Sequence, residues 1–154
     1  MFRKISLFSH NSKSSINFDK KFHGEIPLHV ALWQSYNIAS ARLGIDLGYE
    51  AVENMFLNLG IKKDVPNYPS LFIGSFELSP YQAIQAYQTI ASDGFYSPLR
   101  SIRQIKDTEG KIEFSYPYSI DQTIRPEPVA LLKFAMQQTF ERGTARGDTK
   151  KHIQ

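Results

Sequence analysis

Glycines cut this sequence into short helical runs, and that spacing limits the fold more than any other feature. Gly48, Gly60, Gly94 and Gly143 each follow a stretch whose apolar residues recur at intervals of three and four. The stretch Ile38 to Leu47 is expected to turn Leu43 and Leu47 inward. The next carries Ala51, Val52, Met55, Phe56 and Leu59. A third carries Ala83, Ile84, Tyr87, Ile90 and Ala91, and the last Val129, Leu132, Ala135, Met136 and Phe140. An earlier run starts at Pro27, places Leu28, Ala31, Leu32 and Ser35 on one face, and stops near Ser35–Asn37. Helices of about 10–15 residues are marginal alone in water, so these runs must pack on one another to persist.

Start signals agree with the runs. Ser79-Pro80 pairs a capping serine with a proline at the first helical position. Pro27 suits a first helical turn, and Arg125-Pro126-Glu127-Pro128 opens the last run. On local grounds Asn37 is the N-cap of the run that follows it. Leu71 to Phe76 is a short apolar segment broken by Gly74, preceded by a turn-rich connection through Pro66 and Pro69.

The period changes to two between Ile102 and Tyr116. Ile112, Phe114 and Tyr116 alternate with Glu113 and Ser115, and Asp107-Thr108-Glu109-Gly110 lies between two such stretches, which predicts a β-hairpin. The expected fold class is mainly α with one β-hairpin, an α+β arrangement. No strand–helix alternation points to a parallel sheet. The expected organisation is an irregular segment over 1–16, a folded part over 17–146 and a tail over 147–154.

At 154 residues the chain is one domain or part of a larger one. No run approaches the ~20 apolar residues of a membrane span, and the N-terminus has no signal-peptide core. Without cysteine, thiol catalysis and disulfides are excluded. The net charge of +3 sits at the two ends: residues 1–22 sum to +4 and residues 142–154 to +3, leaving the middle mildly acidic. A nucleic-acid binder carries its positive charge on a folded face, so nucleic acid is not expected as a partner.

The four histidines, His10, His23, His29 and His152, show no paired metal-ligand spacing, and there is no glycine-rich phosphate loop. No cofactor or metal is expected. Asp46 and Glu50 read as a solvated face. The aromatics Phe72, Phe76, Tyr81, Tyr87, Phe95 and Tyr96 read first as core, with a lipid- or sugar-binding platform as the alternative. Ser35-Tyr36-Asn37 remains as the one polar pair between two helical runs, able to set a hydroxyl and an amide on one wall of a cleft.

In order, Asn17-Phe18-Asp19, Phe22-His23-Gly24, Pro27 to Leu32 and Ser35-Tyr36-Asn37-Ile38-Ala39 resemble the run into the second active-site motif of penicillin-binding protein transpeptidase domains of the bifunctional class A type. Leu71 to Pro80, Ala86 to Gly94, the Asp107–Gly110 hairpin and Arg142-Gly143-Thr144-Ala145 continue the resemblance. It implies the helical part of a DD-peptidase/β-lactamase-like fold. It also implies acyl transfer from D-Ala-D-Ala stem peptides of peptidoglycan, with β-lactams as a second ligand class. Ser35 would relay a proton toward the leaving nitrogen, and Asn37 would hold the substrate's backbone amide and the nucleophile's lysine.

The family's chemistry needs Ser-x-x-Lys, Ser-x-Asn and Lys-Thr-Gly together. Neither Ser-x-x-Lys nor Lys-Thr-Gly occurs here. The expectation is a fragment that keeps one third of the active site, lacks most of the family's central sheet, is inactive alone, and exposes an apolar face prone to self-association. The alternative is a stand-alone helical protein-interaction module. The family acts outside the cytoplasmic membrane, anchored to it, and this sequence shows no recognisable export signal.

Overall fold

Among the described residues, small and polar side chains take many of the buried positions, and of the leucines only Leu71 is buried. In the computed structural model, which describes residues 17, 20, 21 and 23–146, the order is α1 (Leu28–Trp33), α2 (Asn37–Leu47), α3 (Tyr49–Asn58), a 3-10 turn (Pro69–Ile73), α4 (Pro80–Ala91), β1 (Phe95–Tyr96), β2 (Gln104–Lys106), β3 (Ile112–Ser115), β4 (Asp121–Gln122) and α5 (Pro126–Glu141). This is the expected α+β class. The segments 1–16 and 147–154 lie outside the described residues.

The chain forms two compact units. The first holds the described residues up to 54, then 64–77 and 130–146; the second holds 55–63 and 78–129.

In the first unit α2 packs on the 3-10 turn at Gly44, where an added Cβ would collide with the Phe72 ring. Tyr49 meets the same ring at 4.8 Å between centroids. Ala31, Ala41 and Leu71 are buried there. Leu43 and Leu47, expected inward, are 37% and 58% exposed, and Leu28 and Leu32 also face solvent. The reason is steric: α2 approaches its neighbours through Ala41 and Gly44, and that stripe lies off the leucine stripe. The Pro27 and Asn37 expectations each shift by one residue. Pro27 is the N-cap of α1 rather than its first helical residue, and Tyr36, not Asn37, occupies the N-cap of α2.

In the second unit α4 begins as expected. The Ser79 hydroxyl accepts the Gln82 N–H at 3.3 Å, and the Gln82 side chain accepts the Ser79 N–H at 2.9 Å, a reciprocal capping box. Its buried face is the reverse of the predicted one. Gln85 and Thr89 are buried, while Ile84 and Tyr87 are 58% and 62% exposed. Gln85 can be buried because its amide bridges the backbone of the following loop, donating to Ser97 O at 3.1 Å and accepting from Leu99 N at 3.0 Å. Thr89 donates to Gln85 O at 3.1 Å. Of the aromatics expected in a core, Tyr81, Tyr87 and Phe95 are exposed and Phe72, Phe76 and Tyr96 half-buried.

The predicted hairpin is present. β2 and β3 pair antiparallel, Gln104 opposite Ser115 and Ile105 opposite Phe114, with a bulge before Lys106. Asp107 Oδ1 accepts from both Glu109 N and Lys111 N, which shapes the turn. A second antiparallel pair, Phe95 opposite Gln122 and Tyr96 opposite Asp121, was not expected. Its strands are two residues long, below any sequence period. Among the described residues no larger sheet is formed, and no helix is long and apolar enough to cross a membrane.

Candidate functional site

Ser35 sits where helices usually place glycine. Gln34 is the C-cap of α1, so Ser35 is the first residue beyond it, and its φ is 56°, in the left-handed region. Its N–H donates to Leu32 O at 3.1 Å, and the Tyr36 N–H donates to Ala31 O at 2.9 Å. Those two bonds form a Schellman motif, which normally carries glycine at this position. α3 ends the same way with Gly60 at φ 85°, its N–H on Leu57 O and that of Ile61 on Phe56 O. α4 ends so with Asp93 at φ 57°. Aspartate tolerates this conformation better than most residues; serine has no such advantage. An L-residue other than glycine pays roughly 1–2 kcal/mol to adopt it.

The corner is held from four directions. Behind it, Asn17 is buried at 4% exposure; its Oδ1 accepts the Ile38 N–H at 3.2 Å and its Nδ2 donates to Lys21 O at 2.8 Å. Asn17 therefore satisfies one of the orphan donors in the first turn of α2, which the Tyr36 side chain does not cap. The imidazole of His23 stacks on the Tyr36 ring, 4.1 Å between centroids and 16° between planes. The Ser40 hydroxyl donates to Tyr36 O at 3.2 Å. On the fourth side lies the turn after α5: Thr144 N donates to Trp33 O at 3.2 Å, Gln34 Nε2 donates to Arg142 O at 3.0 Å, and Gly143 packs so closely on Trp33 O that no Cβ would fit.

Ser35 is thus exposed at the tip of a fixed corner, and Asn37 is the half-buried first residue of α2. The sequence-predicted pair lies on one corner of the first unit, joined there by the Arg142–Ala145 segment that precedes the third motif in the resembling family. Asn17 and His23 carried no role in the sequence reading beyond their place in the resemblance. Their parts depend on contacts made 21 and 13 residues away, which no local pattern announces. Among the described residues no group of three or more His, Asp or Glu side chains could hold a metal.

A family model described as the penicillin binding protein transpeptidase domain matches residues 6–154. The chain belongs to the penicillin-binding protein transpeptidase family. It is 36% identical over 131 residues to penicillin-binding protein 1B of Vibrio cholerae, covering 84% of this chain and 17% of that protein. It is 34% identical over 134 residues to penicillin-binding protein 1B of Escherichia coli, covering 84% of this chain and 16% of that one. The chain therefore spans only about a sixth of the length of these relatives. The D,D-transpeptidase domain of a peptidoglycan glycosyltransferase from Eggerthella lenta superposes with a TM-score of 0.64 at 15% identity, over 82% of this chain and 39% of that domain. The fold is therefore that of part of a transpeptidase domain.

Ser35 brings a hydroxyl to this corner and Asn37 a carboxamide, and Ser-x-x-Lys does not occur in these 154 residues.

Proposed function

We propose that this chain supplies the Ser-x-Asn wall of a peptidoglycan D,D-transpeptidase site and performs no acyl transfer by itself. Ser35 is the proton relay toward the leaving nitrogen of a D-Ala-D-Ala stem peptide. Asn37 holds the substrate's backbone amide. β-Lactams are the second ligand class, by their likeness to that substrate, and the place of action is outside the cytoplasmic membrane. The observation that carries the reading is the left-handed serine. Strain at a non-glycine residue gathers at functional positions, where the side chain is needed despite the backbone cost. Acylation also requires a nucleophile and oxyanion donors. The test is incubation of the purified chain with a fluorescent penicillin followed by denaturing electrophoresis. No covalent band is expected; a band that survives denaturation overturns the inactivity.

A second reading, an interaction module, is favoured by one specific observation: α4 turns Ile84 and Tyr87 to solvent. Contiguous exposed apolar surface marks a contact face or an association liability. Self-association or binding of an environment-sensitive dye is expected of such a face under the fragment reading as well, so the module reading further requires that the chain bind an intact synthase of the same family. A monodisperse, dye-silent monomer by light scattering counts against an associating apolar face, and no binding to the intact synthase removes the module reading.

A further inference from the structure

The carbonyl ends of two helices meet in the first unit, and each is satisfied by the other's segment. The last carbonyls of a helix have no partner inside it and carry the negative end of its dipole. Trp33 O, at the end of α1, accepts the Thr144 N–H at 3.2 Å. Arg142 O, just past the end of α5, accepts from Gln34 Nε2 at 3.0 Å. Gly143 lies between these bonds with no space for a Cβ against Trp33 O. Gln34 is immediately followed by Ser35, and Arg142 to Ala145 is the stretch that leads toward the third motif in the family.

We infer that Gln34 is a positioning residue: its carboxamide ties the Arg142–Ala145 turn to the Ser35 corner and so fixes where the approach to the third motif starts relative to Ser35 and Asn37. The functional meaning rests on the transpeptidase reading above; the tie itself does not. The argument from alternatives is short. Without a side-chain donor at position 34, two electronegative helix ends face each other and the exposed Arg142 carbonyl is left to water, which ties nothing to α1. The backbone bond from Thr144 then bears the junction alone. The side chain must donate, so chemistry and not bulk decides what can replace it.

Two substitutions separate donor from shape. Gln34→Glu keeps the length and loses the N–H; Gln34→Lys keeps a donor. The readout is amide hydrogen exchange followed by NMR, at Thr144 and at Ala41 inside α2, with the resonances of Ser35 monitored alongside. In Gln34→Glu, exchange at Thr144 is expected to speed up about tenfold, the scale of losing one net hydrogen bond. Ala41 should stay near its original rate and the Ser35 signals should shift. Gln34→Lys should exchange close to the unsubstituted chain. Equal acceleration at Thr144 and Ala41 would mean a general loss of stability and overturn the positioning role. So would an unchanged Thr144, or a Lys variant that behaves like the Glu variant. Covalent labelling by penicillin would sink the inactivity proposed above while leaving these exchange results untouched.

Discussion

The side-chain Oδ1 of Asn17 accepts the amide hydrogen of Ile38 at 3.2 Å, so the N-terminus of α2 is closed by a residue 21 positions upstream. A helix that lacks its own capping side chain has borrowed one. Removing it should cost what a cap costs. Asn17→Ala is expected to destabilise the chain by about 1–2 kcal/mol, since the buried Lys21-directed N–H group is lost as well. Asn17→Asp keeps the acceptor but sets a buried carboxylate oxygen against Lys21 O in place of the donor, and should lose at least as much. Urea midpoints of the three proteins, at constant m, give the comparison.

Ser35→Gly should raise stability. The backbone there is left-handed, and glycine adopts that region without the Cβ clash. The gain is expected at roughly 0.5–1 kcal/mol, because relief of about 1–2 kcal/mol of strain is partly offset by glycine's larger unfolded-state entropy. Ser35→Val, β-branched and bulkier, should lose stability at the same place. A midpoint that falls for the glycine variant contradicts the strained-serine account of the site.

Gly44→Ala drives a methyl into the Phe72 ring, and the expected loss is about 1–3 kcal/mol, the range for overpacking. Combining it with Phe72→Leu should recover part of that loss. The double-mutant cycle checks the contact: an interaction energy near zero would mean that α2 and the 3-10 turn do not meet there.

The two faces of α4 should respond oppositely to polarity. Gln85→Leu strands the Ser97 carbonyl and the Leu99 amide and is expected to cost about 1–3 kcal/mol. Ile84→Ser, on the exposed apolar side, should move stability by no more than about 0.5 kcal/mol. Thermal unfolding of both variants decides it, and a larger loss from Ile84→Ser would reverse the orientation of the helix.

Stop and start signals in the sequence carried most of the architecture. Ser79-Pro80, Gly60 and the Asp107–Gly110 turn act through bonds within a few residues of themselves, so they were legible. Burial was not. The periodicity of Leu43 and Leu47, and of Ile84 and Tyr87, points to faces that are open in this protein. Apolar spacing says which side of a helix favours burial, not whether a partner is there to bury it. Small residues such as Ala41 and Gly44, and hydrogen-bonded ones such as Gln85 and Thr89, took the inner positions. Ser35 and Asn37 were singled out by motif, but the left-handed backbone at Ser35 was invisible, because glycine is the residue that advertises that conformation.

The junction of Trp33 with Thr144 is made by main-chain atoms, and every residue type except proline carries the N–H it uses. Such an anchor is blind to most point mutations. Sequence drift in this segment can therefore run far before that bond fails, with two exceptions: Gln34, whose carboxamide makes the second tie, and Gly143, where a single added carbon collides with Trp33 O. A lineage whose side chains had drifted widely here would still keep the outline of the corner, because its main-chain bond asks little of them.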